Sequence, residues 1–135
     1  MKLDWRTITL VPLSQFAPWL AVVLVVTWAG YPGVVCVTPM AWLIALRVGM
    51  VCVGKSHSVD RAQRLLEAAM AGSVFGLLQG LLFWAVVPRM GPILPGEQAN
   101  AIGLVVVIVL LGMLFGAILA LLTAYLTERR RAAGA

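Results

Sequence analysis

Arg47, Glu67 and Gln79 are the residues of this chain whose type and setting offer chemistry, because each lies within a long apolar stretch. A charged or amide side chain at membrane depth is costly unless it meets a partner or a wet cavity, so such groups are candidates for proton, ion or substrate sites. Arg47 interrupts an otherwise uncharged run between residues 40 and 53, and Glu67 begins the next apolar stretch from the same connecting segment. An Arg47–Glu67 ion pair that locks the two stretches together is therefore expected. The other arrangement turns Arg47 toward the headgroups, since Lys55 lies about 12 Å further along a helix. Gln79, near the middle of its stretch, is expected to hydrogen-bond another helix, a contact worth about 0.6 kcal/mol.

Other chemistry finds no constellation in the sequence. There are no paired carboxylates in a span, no nucleophile–His–acid set, no glycine loop beside a Lys to cradle phosphate, and no His pair at metal or haem spacing. Catalytic, cofactor and metal residues are accordingly not expected, and the chain reads as a non-enzyme. His57, beside Lys55 and Ser56, reads as a solvated loop residue. Cys36 and Cys52 fall at opposite ends of one expected helix, about 24 Å apart, beyond disulfide reach. Both read as small apolar filler.

The elements that position these side chains follow from composition. The chain has 135 residues, 62% of them hydrophobic and 11% charged, far from an ordinary soluble domain. Stretches of about 20 apolar residues cross a bilayer core of about 30 Å as helices. Four are expected, over about residues 15–31, 34–53, 62–87 and 101–126, giving an all-α, polytopic four-helix membrane protein in a single transmembrane domain. An unbroken apolar run at 104–111 argues against a β-barrel, whose strands alternate apolar and polar residues. Residues 1–14 read as an interfacial leader: Pro12 and Pro18 discourage one continuous helix, and Ser14 offers a cap with Pro18 in the first turn. Glycines and prolines at 30–33 and 88–96 mark the turns between spans, and Ser58 with Asp60 marks the start of the third. There Asp60 and Arg64 are spaced to pair.

Two stripes of small residues stand out. Ala68, Gly72, Gly76 and Gly80 recur every fourth residue on the third span, and Gly112, Gly116, Ala120 and Ala124 repeat the device on the fourth. Such glycine-zipper faces let backbones approach closely, either within the chain or between chains.

Basic residues set the orientation. Lys2, Arg6, Lys55, Arg61, Arg64 and the tail arginines Arg129, Arg130 and Arg131 fall on one side of the expected spans, and Arg89 on the other. The positive-inside rule then places both termini in the cytoplasm, with residues 127–135 as a basic tail whose arginines meet lipid headgroups. The net charge of +5 follows this distribution and does not point to nucleic acid. The function expected is association in the cytoplasmic (inner) membrane, as an accessory subunit or a homo-oligomer, with lipids and another membrane protein or further copies as partners. The alternative is an oligomeric transporter or channel with Arg47, Glu67 and Gln79 lining the route.

Overall fold

Asp4 starts the first helix by accepting, on its carboxylate, the Thr7 hydroxyl at 2.7 Å and the Thr7 backbone N–H at 3.2 Å. These bonds satisfy donors that a helix N-terminus leaves unpaired. The computed structural model describes residues 3–28, 34–86 and 101–134, and in them the chain forms four helices. They are α1 (Trp5–Trp28), α2 (Val34–Lys55), α3 (Arg61–Val86) and α4 (Ala101–Gly134). The turn expected at 30–33 and the loop at 88–96 lie outside the described residues, as does Arg89.

α1 differs from the expected leader and short span. It runs unbroken through Pro12 and Pro18. Ser14 does not cap a helix start; its hydroxyl donates back to the Val11 carbonyl at 2.8 Å. Two prolines are tolerated because each removes a single helix bond, whereas unwinding a turn in an apolar setting would leave still more backbone unpaired. α4 also differs, continuing as helix through Arg129, Arg130 and Arg131. Its 34 residues rise about 50 Å, well beyond a bilayer core, so its charged end stands clear of the apolar part.

α3 packs most extensively on α4; α2 packs on both, and α1 packs on α2 and α3. The small-residue stripes explain the first of these contacts. A methyl group added to Gly76 would run into the Gly112 carbonyl, and one added to Gly72 into the Gly116 carbonyl and the Ala120 side chain. At Gly80 it would come within 2.9 Å of the Val109 backbone. Ala68, Ala120 and Ala124 are completely buried in the same seam. The two glycine faces therefore meet each other inside one chain.

α2 comes against α4 at Gly49. Ala41, Ala45 and Gly49 on α2 are buried, and a methyl on Gly49 would strike the backbone of Ala120 and the hydroxyl of Thr123. That hydroxyl donates across the interface to the Leu46 carbonyl at 2.8 Å. On the other side of α3, the Phe16 and Phe75 rings meet edge to face at 6.1 Å, in a core completed by Val11, Val48 and Cys52.

α1, α3 and residues Val105–Gly134 of α4 are long and apolar enough to cross a membrane, whereas α2, expected as a span, is not among these candidates. The outward surface of α4 carries Leu110, Leu114, Ile118 and Leu122, all exposed. At the far end of the bundle from Asp4, Trp28 and Trp84 are exposed as well.

Candidate functional site

The polar side chains gather at the end of the bundle where α1 begins, α2 ends, α3 begins and α4 ends. Glu67 is at their centre and completely buried. Its Oε1 accepts the Asp4 backbone N–H at 2.9 Å, the Ser58 hydroxyl at 2.6 Å and the Gln63 side-chain amide at 3.4 Å; its Oε2 accepts the Ser56 hydroxyl at 2.5 Å. One carboxylate thus ties the start of α1, the α2–α3 connection and α3 to a single point. The local sequence makes this possible. α2 closes with the Ser56 N–H on the Cys52 carbonyl, Ser58 N–H turns back on the Ser56 hydroxyl, and Asp60 caps α3 through the Ala62 N–H. The short loop therefore presents both serine hydroxyls toward the first buried turn of α3.

Arg47 is not part of this arrangement. It is exposed on α2, and the ion pair found among the described residues joins Arg64 to Glu128. The expected Arg47–Glu67 pair is therefore not formed. The physical reason is that hydroxyl, amide and backbone donors already occupy both Glu67 oxygens, while an exposed Arg47 keeps its guanidinium clear of a buried site.

Arg64 also departs from expectation. In place of a pair with Asp60, its Nε and Nη2 donate to the two oxygens of Glu128 at 2.7 and 3.0 Å. Its Nη1 donates to the carbonyls of Ser58 and Val59 at 2.8 and 2.9 Å. A guanidinium fork on both carboxylate oxygens is the stronger, geometrically defined form of ion pair. Asp60, already the α3 cap, cannot match it. Arg61 lies over the Tyr125 ring at 5.4 Å, and Arg131 reaches the Val53 carbonyl at 3.5 Å, so α4 is held to both α3 and α2 at this end.

Glu128 carries much of this clasp, and the reading of the sequence missed it. A signal was there. The α4 stripe at 112, 116, 120 and 124 continues to 128, and the α3 stripe at 68, 72, 76 and 80 extends back to 64. In an antiparallel pair these extensions face each other at one end.

Gln79 does bond another helix: its Oε1 accepts the Trp19 indole N–H from α1 at 2.5 Å. It stands twelve residues from Glu67 on the same helix, about 18 Å away. Arg47, Glu67 and Gln79 are thus dispersed: one on an outer surface, one in the polar clasp, one against α1. The remaining predicted lipid contacts, Arg129 and Arg130, are exposed on the last turns of α4.

These features define an all-α helical protein with three helices able to cross a membrane and a polar clasp at one end. Comparison with known protein families, with curated proteins and with solved structures gives no match.

Proposed function

We propose that the chain is a four-span protein of the cytoplasmic membrane, with its charged end in the cytoplasm, that serves as a small non-catalytic subunit associating laterally with another membrane protein or with further copies of itself. The observation that carries this reading is the use made of the polar side chains. Glu67, Arg64, Glu128 and Gln79 each join one helix of the bundle to another. They build a scaffold, and contact with a partner then falls to the outer surface, where Leu110, Leu114, Ile118 and Leu122 form an apolar ridge on α4. Because the glycine faces close on each other within the chain, association is assigned to this ridge and not to them.

α2 supplies the fourth span in this reading. Its 22 residues rise about 33 Å, enough for a bilayer core of about 30 Å, and Arg47 reaches the headgroups on the Lys55 side. Arg6, Lys55, Arg61, Arg64 and the tail arginines share one end of the bundle, which the positive-inside rule places in the cytoplasm.

A photo-crosslinking residue introduced at Leu110, Leu114 or Ile118 in native membranes tests the association. A protein adduct of discrete mass from this ridge is expected. Adducts to lipid alone at all three positions would contradict the subunit reading.

A further inference from the structure

We propose that the crevice between the start of α1 and the end of α2 binds a phosphate group, presented as the headgroup of an anionic phospholipid in the cytoplasmic leaflet. The crevice has a volume of about 510 Å³ and is lined by Arg6, Lys55 and His57, with hydroxyls of Thr7, Ser14 and Ser56 between them. The hydroxyl protons are already engaged: Thr7 donates to Asp4, Ser14 to the Val11 carbonyl and Ser56 to Glu67. The cations are not. Among the described residues neither Arg6 nor Lys55 forms an ion pair, and both side chains are exposed. Donation to a ligand oxygen thus falls to a guanidinium fork, suited to bidentate phosphate contact, and to a flexible ammonium beside it.

Two acids lie close by, and both are engaged within the protein. Asp4 holds the first turn of α1 through Thr7, and Glu67 is buried under its own set of donors. The mouth of the crevice is open at Gly54, where an added methyl would meet no neighbour. Leu10 and Val11 form the wall one to two turns deeper into α1, and Leu10 is exposed. A cationic rim above an apolar wall matches a phosphate carrying acyl chains better than free phosphate.

The assignment to the cytoplasmic leaflet rests on the topology proposed above, and that part is checked separately by the side from which a His57→Cys variant is labelled in sealed vesicles. Binding itself is measured on the full chain in mild detergent by native mass spectrometry. The probes are phosphatidylglycerol, phosphatidylcholine and inorganic phosphate. Phosphatidylglycerol is expected to be retained over phosphatidylcholine, and Arg6→Gln with Lys55→Gln to weaken retention about thirtyfold, from two cations near a phosphate. Arg129→Gln with Arg130→Gln should leave it unchanged. Gly54→Leu, which narrows the mouth without touching the core, should weaken retention independently of charge. Equal retention by the Arg6/Lys55 variant and by Gly54→Leu overturns the crevice as the site, as does loss in the tail variant. Displacement of the lipid by millimolar inorganic phosphate overturns the lipid assignment and leaves a soluble phosphate ligand.

Discussion

Glu67 shows how a carboxylate can be buried in a helical bundle without a cation, because hydroxyls, a side-chain amide and a backbone N–H converge on it. Removing an acceptor of this kind leaves several buried donors unpaired, each costing about 1 to 3 kcal/mol. Glu67→Ala is therefore expected to destabilise the folded chain by at least about 3 kcal/mol, and Glu67→Gln by about 2 kcal/mol, since its amide keeps one of the two oxygens. Arg47→Leu should change stability by less than about 0.5 kcal/mol, as for other exposed sites. Thermal or denaturant unfolding in detergent checks all three, and a large loss in Arg47→Leu would restore the ion pair expected from the sequence. At Asp4 the Thr7 hydroxyl and then the Thr7 N–H hold the carboxyl below its usual value of 3.8. A depressed folded value means the stabilisation is complete above 3.8 and is lost as pH falls through the lower, folded value. The wild type should accordingly lose stability as pH falls below 3.8, and Asp4→Asn should remove this part of the pH dependence. Of these residues, the sequence singled out Glu67 by its place in an apolar run, but not its partners. Serines of a short loop and the backbone of Asp4 carry no periodic signal, and Arg47 drew the pairing by charge alone.

At the scale of helices, spacing was the most informative feature of the chain. Small residues every fourth position on α3 and α4 implied close backbone approach, and the glycine contacts follow that register. The same four-residue count, continued to Arg64 and Glu128, reaches the ion pair. A double-mutant cycle on Arg64→Met and Glu128→Gln should give a coupling of about 1 to 3 kcal/mol, as for contacting residues in one network. A coupling near zero would mean that the fork does not hold α3 to α4. The first helix was less legible. Local proline chemistry favours a break at Pro12, whereas the cost of leaving backbone groups unpaired in an apolar environment favours one continuous helix. That second term depends on the surroundings, not on neighbouring residues, so no local pattern displays it. Ala41, Ala45 and Gly49 on α2 have the same four-residue spacing but only one glycine, and they pack on different neighbours: Gly49 on Ala120 and Thr123, Ala41 on Trp19, Val23 and Val86.

For the whole molecule, the all-α fold follows from hydrophobic content that no small soluble core could bury, and three helices meet the length and apolarity needed to cross a membrane. What the sequence left open was whether the glycine faces join helices of one chain or of two. The structure answers with backbone contacts between Gly72 and Gly116 and between Gly76 and Gly112 of the same chain. The bundle should therefore depend on these glycines to fold, whatever it associates with through its outer surface. The most direct test is Gly76→Leu, comparing helix unfolding and oligomeric mass with wild type in mild detergent. Loss of at least about 3 kcal/mol of stability, from overpacking against backbone that cannot move aside, is the result expected. A variant that stays folded with wild-type stability but falls from an oligomer to a monomer would contradict it, and would return the glycine faces to the surface between chains.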